Sequence, residues 1–279
     1  MNKHFKLLMV IMASLIILVT SIFFSDMRAL FNQARYQELL ETVEEEILSA
    51  NIKIVALTDY EYENSKGTRV SSGASGVVFK REGQTYYALT ANHVVTSETD
   101  LDQTTYVVLG HDTLDFSDVI EEKGYVMGVA DYYKSLPSMS IEYTSKIYDL
   151  AVVSFTTDKE YPVVEISNES PMHKDMVVTM SNPHGERNKV TAGKIKSKEY
   201  VTFSDNEEST VDLVVEHTAL ISEGSSGSAL LNEKLELVGI NIGGNENIYR
   251  KFLSGVAIPS DLIQKFLTEW ENHHDIECN

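Results

Sequence analysis

Three short segments hold residue types that together could perform nucleophilic catalysis. Leu89-Thr90-Ala91-Asn92-His93-Val94-Val95 ends an apolar run with a histidine, Tyr148-Asp149-Leu150-Ala151-Val152-Val153 sets an aspartate directly before another, and Glu223-Gly224-Ser225-Ser226-Gly227-Ser228-Ala229-Leu230 places a serine among glycines. A serine becomes a nucleophile only when a base takes its hydroxyl proton and a further group orients that base. Backbone N–H donors must also face the oxyanion that develops, and glycines around the serine let the chain turn tightly enough to aim them.

Taken singly, each segment has an ordinary explanation. A strand-end histidine is usually structural, an acid before a strand is usually a turn residue, and Gly-x-Ser-Gly strings are common. The chain holds a second such string, Gly73-Ala74-Ser75-Gly76, which is expected to be a turn into a strand at Val77–Phe79. The order His93, Asp149, Ser226 is what lifts the combination above coincidence. An α/β-hydrolase would run serine, acid, histidine, and after Ser226 only His273 and His274 remain, in a polar tail. His111, His173, His184 and His217 lack metal-ligand spacing, so neither a metal nor a cofactor is expected.

Such residues need a rigid frame. From Asn51 onward, short β-rich runs recur between turn signals: Ile52–Leu57, Gly76–Phe79, Tyr86–Thr90, Tyr106–Leu109, Leu150–Phe155, Met176–Met180, Val190–Ile195, Val211–Glu216, Leu237–Ile242 and Gly255–Ile258. Strands at this spacing without helices between them point to an all-β barrel or sandwich. A last helix is expected over 260–272, with Ser260 as N-cap and Leu262, Ile263, Phe266, Leu267 and Trp270 on one face. The acid-rich stretches Glu98–Asp102, Asp112–Glu122 and Asp205–Glu208 fall between strands and are expected to be solvated loops.

The first 26 residues are of another kind. Lys3, His4 and Lys6 precede an uncharged run from Leu7 to Ser25, long enough to approach a membrane span. Basic residues at its start place the N-terminus in the cytoplasm and the rest of the chain outside. An uncleaved signal anchor is expected over residues 1–26, giving a single-pass membrane protein with an extracytoplasmic domain. Secretion after cleavage near Val19-Thr20-Ser21 is the weaker alternative, since no A-x-A pattern follows. Residues 27–50 space Leu30, Phe31, Ala34, Leu39, Leu40, Val43 and Ile47 as an amphipathic helix, either a stalk or a helix packed on the domain.

Composition excludes several classes. The 279 residues carry 42 acidic and 23 basic side chains, a net charge of −19, which suits neither nucleic-acid binding nor attraction to anionic headgroups. One cysteine, Cys278, rules out an intrachain disulfide framework and a cysteine-rich zinc site.

With these motifs in view, residues 51–272 resemble the trypsin-like serine peptidases of chymotrypsin fold, especially their HtrA/DegP-type branch. Ser72-Gly73-Ala74-Ser75-Gly76-Val77-Val78-Phe79 is similar to that branch's glycine-rich strand. Thr90-Ala91-Asn92-His93-Val94-Val95 resembles its histidine motif, and Asp149-Leu150-Ala151-Val152-Val153 its Asp-Leu-Ala-Val. Asn182-Pro183-His184-Gly185 is similar to its Asn-Pro-x-Gly turn, and Gly224-Ser225-Ser226-Gly227-Ser228 stands where the branch has Gly-Asn-Ser-Gly-Gly. Val238-Gly239-Ile240-Asn241 and Gly255-Val256-Ala257-Ile258-Pro259 resemble the strands and helix entry that close the second barrel.

The resemblance implies a double six-stranded antiparallel β-barrel over 51–279, with barrel 1 at about 51–160, barrel 2 at about 161–258, and the C-terminal helix beyond. It implies Ser226 as nucleophile, His93 as general base and acid, and Asp149 as the group orienting His93. An oxyanion hole would be built from Gly224, Ser225 and Ser226. The pocket for the residue preceding the scissile bond (P1) would have Leu220 and Ile221 at its base and Asn241, Ile242 and Gly243 as its wall. An uncharged base favours a small or medium apolar P1. The substrate would be a protein or peptide, and trimers occur in the branch, although no residue here demands one.

The departures are Ser225 for asparagine, Ser228 for the second glycine and Glu223 where proline is frequent, and a PDZ domain after the final helix is not expected. The segment Asn232–Gly244 is also similar to bacterial glutamyl endopeptidases, which carry a pocket histidine where this chain has Asn241. A catalytically inactive binding or regulatory module on the same fold and a purely structural surface protein are the competing readings.

Overall fold

Short runs of β-branched and aromatic residues pair antiparallel through most of the chain, and each of two sets of pairings closes on itself. The computed structural model describes residues 3–62, 65–96, 103–125, 127–199, 213–249 and 251–277. The acid-rich stretches Glu98–Asp102 and Asp205–Glu208, the start of the strand expected at Val211, and Cys278 lie outside the described residues. Two compact units are present, Met1–Glu41 and Thr42–Asn279.

The first unit belongs to one unbroken helix, α1 (Lys3–Glu46), which takes in both the expected anchor and most of the helix expected after it. Among the described residues no helix is long and apolar enough to cross a membrane. The side chains at 7–11, 13, 15, 16 and 25, inside the expected span, lie outside the described residues.

The second unit holds both barrels. Barrel 1 is built from β1 (Asn51–Tyr62), β3 (Ala74–Glu82), β4 (Thr85–Ala91), β5 (Thr104–Leu109), β6 (Ser138–Ser145) and β7 (Leu150–Thr156), with β2 (Ser65–Val70) added at the edge. The order is β2-β1-β3-β4-β7-β6-β5, and β1 closes the ring by pairing with β5. Barrel 2 closes in the order β10-β13-β12-β11-β8-β9, from β8 (Met176–Ser181), β9 (Lys189–Glu199), β10 (Val214–His217), β11 (Ala229–Leu231), β12 (Leu237–Glu246) and β13 (Phe252–Pro259). Closure pairs each barrel strand with two neighbours over part of its length, and each lumen fills with alternate side chains. Val177, Ile195, Val215, Leu230, Val238 and Ala257 form one such buried cluster in barrel 2.

Helix α4 (Ser260–Glu277) continues from β13 and buries the expected face, with Ile263, Phe266 and Trp270 inside. Its Trp270 packs against Phe79 and Tyr87 of barrel 1, at ring separations of 5.7 and 5.4 Å, so the last helix ties barrel 2 back to barrel 1. Ser260 does not cap the helix through its side chain: the hydroxyl donates to the Glu169 carbonyl at 3.1 Å.

The stretch Asp112–Glu122 departs from its expectation of a solvated loop. Asp115 is buried and forms a capping box with Asp118 at the start of α3 (Phe116–Lys123). It also pairs with the buried Lys53 at 2.8 Å and accepts the Tyr133 hydroxyl at 2.7 Å. A buried charge left alone is costly, which is why this acid cannot sit in solvent. Asp115→Ala is expected to destabilise the fold by about 3–5 kcal/mol in urea denaturation. Adding Lys53→Met should recover most of that loss. A loss under about 1 kcal/mol would place the pair in water rather than in the core.

Candidate active site

The histidine and the aspartate come together on barrel 1. Ala91 ends β4, and the chain turns at once into the short helix α2 (Asn92–Val95), which carries His93. Asp149 precedes β7 in a left-handed conformation (φ 49°), which Asp tolerates better than most residues. Because β4 and β7 pair, with Ala91 opposite Leu150, the strand ends hold these two residues side by side. Asp149 Oδ2 lies 2.8 Å and Oδ1 3.1 Å from His93 Nδ1, and Oδ1 also accepts the His93 backbone N–H at 3.0 Å. The Asn92 N–H donates to the Asp149 carbonyl at 3.1 Å, so the aspartate is held at both ends of its residue. A carboxylate only accepts, so Nδ1 is the donor in this contact, and in the neutral imidazole that leaves Nε2 as the acceptor. The His93 side chain is 48% exposed and that of Asp149 21%, so the imidazole is open to solvent and the carboxylate is more sheltered.

Barrel 2 supplies the serine loop. Ser226 is half-buried, and its carbonyl accepts the Ser75 N–H of β3 at 2.9 Å, which joins the loop to barrel 1. Gly227 (φ 83°) could carry no side chain, since a Cβ there would stand 2.2 Å from both the Ser75 carbonyl and Thr90 Oγ1. Thr90 lies three positions before His93, so this close approach brings the serine loop to the histidine strand. Among the described residues no hydrogen bond links His93 to Ser226 Oγ; in the absence of substrate such contacts are often long.

Across this loop, the Ser225 N–H donates to Ser222 O, Gly227 N–H to Asn241 O and Ser228 N–H to Ser225 O. The amides of Gly224 and Ser226 make no hydrogen bond among the described residues. In a trans peptide the N–H points opposite the carbonyl before it. The Glu223 carbonyl is held by the His184 N–H at 2.7 Å and that of Ser225 by the Ser228 N–H at 3.0 Å, which aims the Gly224 and Ser226 amides the other way. Two unpaired, pre-oriented donors flanking a serine are suited to hold an oxyanion.

The residues expected to line a substrate pocket lie in different surroundings. Leu220 is 55% exposed and cannot be the floor of a pocket. Ile221 is buried, with Cγ1 3.8 Å from where a Gly244 Cβ would stand, so it faces β12. Ile242 and Gly243 are half-buried on that strand, and space is open beside Gly243. Asn241 is not wall: it is fully buried, and strand alternation turns its amide into barrel 2. There Nδ2 donates to Ser228 Oγ at 2.9 Å and Thr179 Oγ1 at 3.1 Å, and Oδ1 meets His217 Nε2 at 2.7 Å. A buried amide is stable only with such partners, and complete burial keeps it from facing a ligand.

His217, one of the histidines without a metal pattern, is the core partner in that network. Burial pushes its pKa down to about 4, against a smaller upward pull from Asn241. The unfolded chain, near 6.5, takes up the proton first, so stability is lost as pH falls from about 6.5 to about 4 and the loss levels off below. The total is on the order of 3 kcal/mol. Urea midpoints measured from pH 7.5 to 3.5 should fall further for the wild type than for His217→Gln, and parallel curves would contradict this.

Ser75 and Asn182 stand in quoted sequence motifs, but sequence reasoning gave them no place behind the loop. The string containing Ser75 is not a turn: β3 starts at Ala74, and Ser75 is buried between the barrels. Asn182 is buried beside it and donates through Nδ2 to the Ile52 carbonyl at 2.9 Å. A serine and an asparagine inside otherwise apolar or glycine-rich segments were the available signal. Two open clefts of about 470 and 530 Å³ lie elsewhere, beside Asp59 and Lys134 and beside Asp115 and Arg187, and neither includes His93, Asp149 or Ser226.

The family model described as "Trypsin-like peptidase domain" matches residues 74–240, which contain all three of these residues. Over 221 residues the chain is 27% identical to "Serine protease Do-like HtrA" of Bacillus subtilis (strain 168), covering 77% of this chain and 42% of that protein. It is 29% identical to "Serine protease HTRA3" of Mus musculus over 143 residues, 48% of this chain and 28% of the relative. The same identity holds over 140 residues with "Probable periplasmic serine endoprotease DegP-like" of Buchnera aphidicola subsp. Baizongia pistaciae (strain Bp), 47% of this chain and 28% of that protein. The chain thus spans less than half the length of each of these relatives.

Proposed function

Because the chain belongs to the trypsin-like peptidase family, with HtrA-type relatives, we propose that it is a serine endopeptidase working through Ser226, His93 and Asp149. The observation that carries this reading is the His93–Asp149 contact at 2.8 Å beside a serine loop whose Gly224 and Ser226 amides are unpaired among the described residues, each turned away from a carbonyl that is itself bonded. His93 Nε2 takes the Ser226 hydroxyl proton as Oγ attacks the scissile carbonyl. The oxyanion is held by the two amides, and Ser225 shapes the turn between them. The proton then passes from His93 to the leaving amine, which departs as an acyl-enzyme forms. Water, deprotonated by His93, hydrolyses the ester and restores the serine.

An extended protein or peptide substrate has an edge to pair with. β13 pairs with β12 from Gly239 to Glu246, whereas β11 covers the other edge only from Leu237 to Ile240. The uncharged side chains of Ile221 and Ile242 support a small or medium apolar P1, since a basic side chain would find no counter-ion there. The uncharged run from Leu7 to Ser25 behind Lys3 and Lys6 supports anchoring in the cell membrane with the peptidase outside.

The purified protein, treated with a fluorophosphonate probe and with a peptide library, tests the reading against Ser226→Ala. Labelling and cleavage after apolar residues, both lost in the variant, support it. Cleavage after Arg or Lys would remove the pocket assignment, and no labelling would make the chain a binding module on a peptidase fold.

A further inference from the structure

The carbonyls of Glu223, Gly224, Ser225 and Ser226 all accept a hydrogen bond, and two of the four bonds come from Ser75. Its N–H donates to Ser226 O at 2.9 Å, and its hydroxyl donates to Gly224 O at 2.9 Å. The other two, from His184 and Ser228, are backbone bonds, so the Ser75 hydroxyl is the only side chain in the set. The direction of that hydroxyl is dictated. Asn182 donates to Ser75 Oγ twice, from its backbone N at 2.9 Å and from Nδ2 at 3.3 Å, so the single hydroxyl proton is left to point at Gly224 O. Thr90 Oγ1 donates to the Ser75 carbonyl at 2.8 Å, which ties the same residue to the strand leading into His93.

Gly224 is where such a restraint matters. It sits at φ 91°, and a glycine rotates easily between such conformations. Its N–H faces the oxyanion site, while the next peptide plane, 224–225, is pinned by Ser75. If that pin is removed, plane 224–225 keeps only the Ser225 N–H bond to Ser222 O and plane 223–224 only the bond from the His184 N–H, so the loop loosens around Gly224 and its amide is held less closely.

We infer that Ser75 is a positioning residue of the active site, whose hydroxyl locks the peptide after Gly224 and so keeps the oxyanion-binding amides pre-aimed. Ser75 touches no substrate, and it acts on transition-state binding rather than on substrate affinity. The inference rests on the peptidase reading above.

The test compares wild type with Ser75→Ala, Ser75→Cys and Ser75→Thr, with active sites titrated by fluorophosphonate. Ser75→Ala is expected to lower kcat about tenfold, less than the ~10²–10³ lost with an entire oxyanion donor, and to leave KM within twofold. A peptide aldehyde, which binds as a tetrahedral adduct, should weaken by the same factor, while a non-reacting peptide amide keeps its affinity. Ser75→Cys, with a weakly donating thiol, gives the same split and serves if the alanine variant does not fold. Ser75→Thr keeps the hydroxyl and should keep kcat within threefold. A lower melting temperature with unchanged kcat and aldehyde affinity per titrated site would overturn the inference alone. A wild type that neither labels nor cleaves would overturn the peptidase reading and this inference with it.

Discussion

Ser226→Ala is expected to abolish peptide hydrolysis, with kcat falling by about 10⁶ and fluorophosphonate labelling lost altogether. The effect is this large because the neighbouring serines cannot stand in for it: Ser225 and Ser228 are buried. Ser225 Oγ donates to Ser181 Oγ at 3.3 Å and accepts the Ser222 N–H, and Ser228 Oγ accepts from Asn241. Fold and loop should survive the substitution, since the contact Ser226 makes with Ser75 uses its carbonyl and not its hydroxyl. Equal urea midpoints for variant and wild type would show this. Residual turnover within tenfold of wild type would mean that another residue is the nucleophile.

Asp149→Asn is the second large effect, with an expected fall in kcat of about 10⁴. Asparagine tolerates the left-handed conformation at φ 49°, and its Oδ1 can still accept the His93 backbone N–H, so the β4–β7 corner should hold. What changes is the imidazole. The Asn Nδ2 is a donor where Asp149 Oδ2 accepts, so Nδ1 must give up its proton and Nε2 must carry it. The nitrogen that should take the Ser226 proton is then already protonated. NMR of the imidazole nitrogens would show the tautomer change directly. Turnover within about tenfold of wild type would mean that Asp149 does not orient the base.

How much of this was legible in the sequence follows the range of the forces involved. Strands such as Leu150–Phe155 and Met176–Met180 announce themselves because burial on a pleated surface demands a continuous apolar run. β2 and β6 went unnoticed because Ser65–Val70 and Ser138–Ser145 are polar strands with exposed faces, which carry no such demand. β11 has only three residues, too few for a period. Helix α3 was hidden by its acids, because Asp115 looks like a solvated residue until Lys53, sixty-two positions earlier, is brought against it. Asn241 was misplaced for a related reason: a strand sequence gives alternation but not which face meets the lumen.

The sequence by itself determined the chemistry: a serine among glycines, a histidine at a strand end, an acid before a strand, and the order in which they occur. Each is a local requirement, set by what a few adjacent residues can do. Only the tertiary structure decided how the loop is aimed. The hydroxyl that holds Gly224 comes from Ser75, 149 positions away on the other barrel, in a string that looks like any small turn. A single hydrogen bond across two closed barrels leaves no periodicity in the chain, so the residue that directs the oxyanion amides could be identified only once the barrels had brought it to them.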